Sequence, residues 1–249
     1  ARMAADPTVL GSIRSTMRAP WGRGANRLTG GGIRHGTGNE CEDRSVRFFQ
    51  KGGDGEVDTN PIATLSKGEV FQLARSLGRT LDEQTTRPRL SGVVVYTEII
   101  HALPSADLWG VGDQHNDQSE LSQQLGVQGH PVYSHIDTTT GAYQTVGLIE
   151  RVSRWLDRDS GNEDLFRYHE IGMDTVIDNL IVSAFDAPEF AGLTEAVTEN
   201  LLRGMRKLEA CTRHKLNPNI PTLIDRKTLV KNGLLTNTLP VLTPRAGGL

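Results

Sequence analysis

The sequence predicts an α+β protein in which a helical C-terminal half packs on a small central β-sheet, with extended arms at both ends. A run of β-branched and aromatic residues at positions 93–96 is typical of a buried strand. A long apolar stripe at helical spacing lies between residues 165 and 184. Both ends of the chain contain glycine or proline and lack such periodicity, which indicates extended segments.

The N-terminal segment carries a charge opposite to that of the rest of the chain. In residues 1–39, six arginines and one aspartate give +5, whereas 21 basic and 29 acidic residues give the remainder −8. Eight glycines and sparse apolar residues predict an extended arm here. We assign residues 40–233 to the α+β body and residues 234–249 to a second extended arm, because Pro240 and Pro244 interrupt any helix.

The arginines of the N-terminal arm are candidates for contact with another molecule. A guanidinium presents a planar fork of donors that suits phosphate oxygens, so nucleic acid is one candidate partner. We favour a neighbouring subunit, because a polar terminal segment is ordered when something docks it. Docking on the arm's own body and a transit peptide are further interpretations. The candidate contact residues are Arg14, Arg18, Arg23, Arg27 and Arg34.

The first predicted element of the body is a helix opened by a capping box. Ser66 and Glu69 stand three residues apart, so the hydroxyl and the carboxylate can each satisfy a backbone N–H. Apolar residues follow at helical spacing, and Gly78 is expected to end this helix. Downstream, the pattern predicts a buried strand over residues 92–103 and a short helix over residues 117–125.

The second half of the body is predicted to be mainly helical. A strand, a glycine-containing turn and a second strand or helix start are expected within residues 131–149. One helix should carry the apolar stripe from about residue 163 to 184, and another should run from about residue 194 to 215, forming a hairpin. A short helix is predicted over residues 225–231. Ion pairs between the two long helices are expected among Glu170, Asp174, Asp178, Arg203, Arg206 and Lys207.

Recognisable nucleophile and cofactor motifs are absent from the sequence. It contains no G-x-S-x-G and no G-x-x-x-x-G-K-[ST] pattern, so we expect no cofactor and identify no small-molecule substrate. Cys41 and Cys211 do not have the spacing of a zinc or redox motif, and we expect free thiols. The apolar stretches are much shorter than the ~20 residues of a membrane span, so we expect none.

Histidines and aspartates are concentrated in one part of the chain. The spacing H-x-D occurs at residues 115–117 and 135–137, and imidazole and carboxylate groups are common metal ligands. A bound metal could activate water for hydrolysis. The commoner role of such residues in a polar loop is turn formation, which we favour. The candidate ligands are His115, His130, His135 and Asp137.

These patterns together predict a non-enzymatic structural subunit that self-assembles through its arms. Its most concrete form is a virus or phage capsid or nucleocapsid protein located in the virion, with other copies of itself as partners and nucleic acid as a further candidate. One alternative is an accessory subunit of a large complex in a mitochondrion or in the cytoplasm. Another alternative is a metal-dependent hydrolase that uses the histidine and aspartate residues.

Overall fold

The computed structural model describes residues 7–50, 52–84, 105, 116–160, 177–212, 215 and 226–235. These residues are mostly helical and include one two-stranded sheet. The α-helices are α1 (Pro7–Leu28), α2 (Lys67–Gln84), α3 (Asp117–Gln124), α4 (Leu148–Ser160), α5 (Ile177–Phe185), α6 (Glu195–Thr212) and α7 (Arg226–Lys231). A π-helix spans Glu40–Ser45 and a 3₁₀-helix spans Pro188–Phe190. The strands are β1 (His135–Ile136) and β2 (Tyr143–Thr145). Among these described residues, no helix is both long and apolar enough to span a bilayer.

The N-terminal segment is helical, not extended as the sequence predicted. Helix α1 docks on the same chain, where Ser12 Oγ donates to Gln50 Oε1 at 3.0 Å and Ser15 Oγ donates to Asp54 Oδ1 at 2.6 Å. Ala19, one turn further on, is 1% exposed. These tertiary contacts stabilise a helix whose glycines and Pro20 disfavour it locally. The opposite face carries the exposed side chains of Leu10, Ile13, Met17, Trp21 and Leu28.

The capping box at the start of α2 is confirmed. Ser66 N donates to Glu69 Oε2 at 3.0 Å, and Glu69 N donates to Ser66 Oγ at 3.3 Å. The predicted end at Gly78 is wrong, because α2 continues to Gln84. A glycine inside a helix costs only about 1 kcal/mol relative to alanine, and packing can offset that cost. The predicted strand over residues 92–103 lies outside the described residues.

The predicted strand-turn-strand unit is confirmed as an antiparallel hairpin of β1 and β2. Asp137 organises its turn, because Asp137 Oδ1 accepts hydrogen bonds from Thr139 N at 2.9 Å and from Thr140 N at 2.6 Å. Gly141 closes the turn with φ of 78°, a conformation that residues with a side chain rarely adopt. The predicted short helix before the hairpin is also confirmed as α3.

Helices α4, α5 and α6 enclose the main hydrophobic core together with α3, the loop between α3 and the hairpin, and the π-helix. Trp155 of α4 is 1% exposed and meets Phe190 edge to face, with ring centroids 5.1 Å apart. The helix predicted from residue 194 is confirmed as α6, and the one predicted over residues 225–231 as α7. Of the helix predicted from residue 163, the described part is α5; residues 161–176 lie outside the described residues.

One predicted ion pair between the long helices is confirmed. The Arg203 guanidinium of α6 donates to Asp178 Oδ1 of α5 at 2.7 Å, at an exposed position. Glu170 and Asp174 lie outside the described residues. The thiols of Cys41 and Cys211 are free, as expected, with Cys41 buried and Cys211 exposed.

Candidate active site

The candidate site begins at an irregular segment that follows α1. Asn39 caps the π-helix, because its side-chain oxygen accepts from Glu42 N at 3.3 Å. Glu40 N donates to Leu65 O at 2.8 Å, which holds the π-helix against the start of α2. Just beyond the π-helix, Arg47 is buried and has φ of 53°, a value uncommon outside glycine. A π-helix and a left-handed residue together are features that are frequent at functional sites.

A sheltered ion pair joins this segment to α2. Lys67 Nζ donates to Glu42 Oε1 at 2.6 Å, and the two side chains are only 14% and 17% exposed. Lys67 Nζ also lies 5.2 Å from the ring centroid of Tyr133. With little water around them, these charges interact more strongly than a surface pair would. The arrangement provides an ammonium group and a carboxylate beside an aromatic ring.

The tyrosine of this cluster is itself unusual. Tyr133 is 1% exposed, and its hydroxyl has no hydrogen-bond partner among the described residues. Burial raises the pKa of Tyr133 well above its ordinary value, and the charge of Glu42 adds to the rise. The phenol therefore stays neutral at ordinary pH. A buried donor without an acceptor is costly, and such groups are rare in proteins.

A second buried carboxylate organises the polar side of the hairpin. Glu150 is 2% exposed, and its oxygens accept from Ser134 Oγ at 2.5 Å, from Tyr143 OH at 2.9 Å and from the Arg154 guanidinium at 2.7 Å. Tyr143 OH also lies 3.4 Å from the hydroxyl of Ser66, the cap of α2. This network fixes the start of α2, and with it Lys67, relative to the hairpin.

The buried thiol nearby is not suited to nucleophilic chemistry. Burial raises the pKa of the Cys41 thiol well above its ordinary value, and the charges of Glu40 and Glu150 add to the rise. The thiolate is the reactive form of cysteine, so a raised pKa suppresses its reactivity. We therefore assign Cys41 to packing in the core.

A cleft of about 280 Å³ opens between α1, the residues after the π-helix and the end of α6. Phe48 and Leu208 supply apolar surface, and Asp54 supplies a carboxylate. Lys215 Nζ donates to the carbonyl oxygens of Arg47 at 2.9 Å and Phe49 at 2.5 Å. Burial lowers the pKa of Lys215 from its ordinary value. Because Lys215 holds the backbone on both sides of Phe48, it fixes the shape of this cleft.

The arginines predicted to make contacts lie on or just after α1. Arg14, Arg18, Arg23 and Arg27 are exposed on the helix, and Arg34 follows the Gly30–Gly32 turn. Arg23 forms an ion pair with Glu56 of the same chain. Contacts of these arginines with nucleic acid or another subunit stay a prediction.

The predicted metal ligands are separated into different local roles. The carboxylate of Asp137 is occupied by the hairpin turn, and hydrogen bonds from Thr140 lower its pKa. His135 begins β1, and burial lowers its pKa. His130 precedes the hairpin, and His115 lies outside the described residues. Within the described ranges, no group of three or more His, Cys, Asp or Glu side chains is arranged to hold a metal ion.

Sequence reasoning missed the Glu42–Lys67 pair and the Glu150 network. Two local patterns lie at the residues of the pair: Glu42 belongs to the acidic run Glu40-Cys41-Glu42-Asp43, and Lys67 follows the capping-box residue Ser66. These residues are 25 positions apart in the chain, so no local periodicity relates them. The contact between Glu42 and Lys67 could have been found only from the three-dimensional structure, in which the π-helix and the start of α2 come together.

Comparison with known proteins shows that part of the chain is similar to a family of enzymes. The family model described as NAD synthase matches residues 25–146, a range that contains the π-helix, the Glu42–Lys67 pair and the hairpin. Our predictions of a non-enzymatic capsid subunit and of a virion location are therefore wrong. The positive charge of residues 1–39 and the negative charge of the remainder do not make residues 1–39 a capsid arm. Helix α1, which lies in that segment, docks on its own chain through Ser12 and Ser15.

The curated relatives carry one common name. The chain is 31% identical over 142 residues to the "NH(3)-dependent NAD(+) synthetase" of Carboxydothermus hydrogenoformans, covering 57% of this chain and 46% of the relative. It is 32% identical over 146 residues to the protein of that name from Halobacterium salinarum, covering 58% and 43%. A 97-residue match to the Archaeoglobus fulgidus protein of that name is 39% identical and covers 39% and 30%. The chain thus spans less than half the length of these relatives. No solved structure gives a significant match.

Proposed function

We propose that this chain takes part in the ammonia-dependent synthesis of NAD⁺, with the Glu42–Lys67 pair in its reaction or binding site. The match of the NAD synthase family model to residues 25–146 is the observation that carries this proposal. The sheltered ion pair, the π-helix and the left-handed Arg47 all lie inside the matched range. Residues 147–249 lie beyond it, and the described residues of α4, α5 and α6 within that range complete the core.

The name of the relatives defines the chemistry that such a site has to perform. Ammonia can enter NAD⁺ as the nitrogen of its carboxamide, so the acceptor is the corresponding carboxylate of the dinucleotide. A carboxylate is a poor electrophile, and it must first be activated, for which ATP is the reagent we propose. Ammonia then attacks the carbonyl carbon, a C–N bond forms, the activating group leaves with the C–O electrons, and the nitrogen loses a proton.

Lys67 and Glu42 suit two parts of this chemistry. An ammonium group is a compact point charge that can hold phosphate or carboxylate oxygens of a substrate. Lys67 has three N–H donors, and the bond to Glu42 uses one of them. The partial burial of the pair excludes water, which strengthens its interaction with any anion that enters. Glu42 sets the position of the ammonium group, whose nitrogen lies 5.2 Å from the centroid of the Tyr133 ring.

The test is NAD⁺ formation by the purified full chain. The protein is incubated with the deamidated dinucleotide, ammonium and magnesium ATP, and NAD⁺ is measured by mass spectrometry. We expect NAD⁺ that depends on both ammonium and ATP. The variants Glu42→Gln and Lys67→Gln should lower the rate about 100-fold, the effect typical of removing one preorganised charged group from an active site.

The matched control is Arg203→Gln, which removes a guanidinium from an exposed ion pair outside the matched range. This variant should keep the rate of the unaltered protein. Circular dichroism of each variant shows whether it remains folded. Absence of ammonium-dependent NAD⁺ from the folded, unaltered chain would refute the proposal, and an equal loss in Arg203→Gln would remove the role assigned to Glu42 and Lys67.

A further inference from the structure

A second cleft is lined by arginines of α1 and of the segment that follows α1. It has a volume of about 350 Å³, near the lower end of the range of small-ligand sites. One wall is the last part of α1, and the other is formed by residues 56–58. Gly31 and Gly32 also line the cleft. We call this the glycine-turn cleft, and its charged lining consists of Arg23, Arg27, Arg34, Glu56 and Asp58.

Arg34 is the unexplained group in the glycine-turn cleft. One terminal nitrogen of its guanidinium is buried and has no hydrogen-bond partner among the described residues. The guanidinium packs on α1 at Gly22, where a β-carbon would lie 2.8 Å from Arg34 Nε. Any larger residue at position 22 would displace Arg34, so the sequence makes room for the guanidinium here. A guanidinium nitrogen without an acceptor is unfavourable, and because Arg34 lines the cleft, a molecule bound there can supply acceptors to this guanidinium.

Both acidic residues of the cleft already have partners within its lining. The Glu56 carboxylate pairs with Arg23. Asp58 Oδ2 accepts a hydrogen bond from the backbone N of Arg34 at 2.7 Å. Three guanidinium groups therefore face two carboxylates, which leaves an excess of one positive charge. Arg27, in the last turn of α1, is exposed and projects its charge at the same opening.

We propose that the glycine-turn cleft binds a phosphate group through Arg34 and Arg27. The guanidinium fork matches two oxygens of a tetrahedral oxyanion, and such charge-assisted bonds are stronger than neutral ones. The C-terminal end of α1 carries partial negative charge, so the arginines supply the attraction. Gly30 and Gly31 have φ of 88° and 110°, which lets the backbone turn close to a ligand without a side chain in the way.

The phosphate can come from two sources: a free anion such as phosphate or pyrophosphate, or the phosphate chain of a dinucleotide. Titration calorimetry of the full chain at low salt separates them, with inorganic phosphate, pyrophosphate and NAD⁺ as the three probes. We expect saturable binding of at least one probe. The variants Arg34→Gln and Arg27→Gln should each weaken it about tenfold, which corresponds to ~1.4 kcal/mol. Arg27 is exposed, so the second variant is informative even where the first fails to fold.

The control is Arg18→Gln, which removes an exposed arginine of the same helix that does not line the cleft. It should bind as the unaltered protein does. No saturable heat with any of the three probes overturns the proposal, and so does equal weakening in all three variants. Because these titrations require no NAD⁺ formation, their failure is distinguishable from failure of the proposed function.

Discussion

Lys67 Nζ lies 2.6 Å from Glu42 Oε1, and both side chains are largely withdrawn from water. The pair joins two segments that are 25 residues apart in the chain. Burying either charge without a partner would destabilise the fold, and each side chain supplies the opposite charge that the other needs. The pair therefore holds the start of α2 against the π-helix. It is also the pair of side chains to which we assign substrate binding.

The first prediction separates the structural from the functional role of this pair. The single variant Lys67→Met leaves the Glu42 carboxylate sheltered and unpaired, and should lower the free energy of unfolding by about 2 kcal/mol. The double variant Glu42→Leu with Lys67→Met should recover most of this loss, because an apolar pair incurs no desolvation cost. Urea denaturation measures both values. Additive losses in the double variant would show that the two side chains do not interact.

The second prediction concerns the buried phenols at alkaline pH. Burial raises the pKa of Tyr143 above its ordinary value near 10, and the charge of Glu150 adds to the rise. The pKa of Tyr143 is higher in the folded protein than in the unfolded chain. The neutral phenol's contribution to the stability of the fold is therefore fully present below about pH 10, and it is lost as the pH rises through the folded pKa. Tyr133 behaves in the same way.

Absorbance at the tyrosinate band tests this behaviour. Of the four tyrosines in the chain, Tyr133 and Tyr143 should not ionise in the folded protein near pH 10, but all four should do so after denaturation. The variant Tyr143→Phe should leave the native titration unchanged and reduce the amplitude in denaturant by one phenol. A native titration that shrinks in this variant would contradict the burial of the Tyr143 hydroxyl.

Local patterns in the sequence predicted several elements correctly. The capping box at Ser66, the turn chemistry at residues 137–141 and the spacing of apolar residues in α6 each act over a few neighbouring positions. Such interactions are encoded where they occur, so one sequence suffices to find them. Overall, the element types were easier to predict than their ends, as the continuation of α2 past Gly78 shows.

The errors arose where distant residues decide the outcome. Helix α1 is stabilised by Gln50 and Asp54, about 38 and 39 residues from their partners in the chain, and composition alone favoured an extended arm. The Glu150 network likewise joins α4 to Ser134 of the loop before the hairpin and to Tyr143 of β2. The Glu42–Lys67 pair, on which the proposed function rests, was missed for the same reason, because its two charged groups meet only in the folded chain.

The third prediction tests the docking of α1. A β-carbon at Gly53 would lie 2.6 Å from the carbonyl oxygen of Ser15, so Gly53→Ala should push α1 away from the body. We expect faster tryptic cleavage at the arginines of α1. The control is Gly24→Ala, where nothing lies within 4 Å of an added β-carbon. This exposed helical position should gain up to about 1 kcal/mol from the change. Equal protection of α1 in both variants would contradict the docked arrangement.

The fourth prediction uses two tryptophans in opposite environments. Trp155 is 1% exposed and packs edge to face on Phe190, whereas Trp21 of α1 is 76% exposed. Trp155→Ala removes a large side chain from the centre of the main core and should lower the free energy of unfolding by about 3–5 kcal/mol. Trp21→Ala should change it by less than about 0.5 kcal/mol. Thermal and urea unfolding, monitored by circular dichroism, measure both values without relying on tryptophan fluorescence. A large loss in Trp21→Ala would place that exposed face of α1 in contact with another part of the molecule or with another chain, whereas a small loss in Trp155→Ala would contradict the core formed by α4 and the 3₁₀-helix.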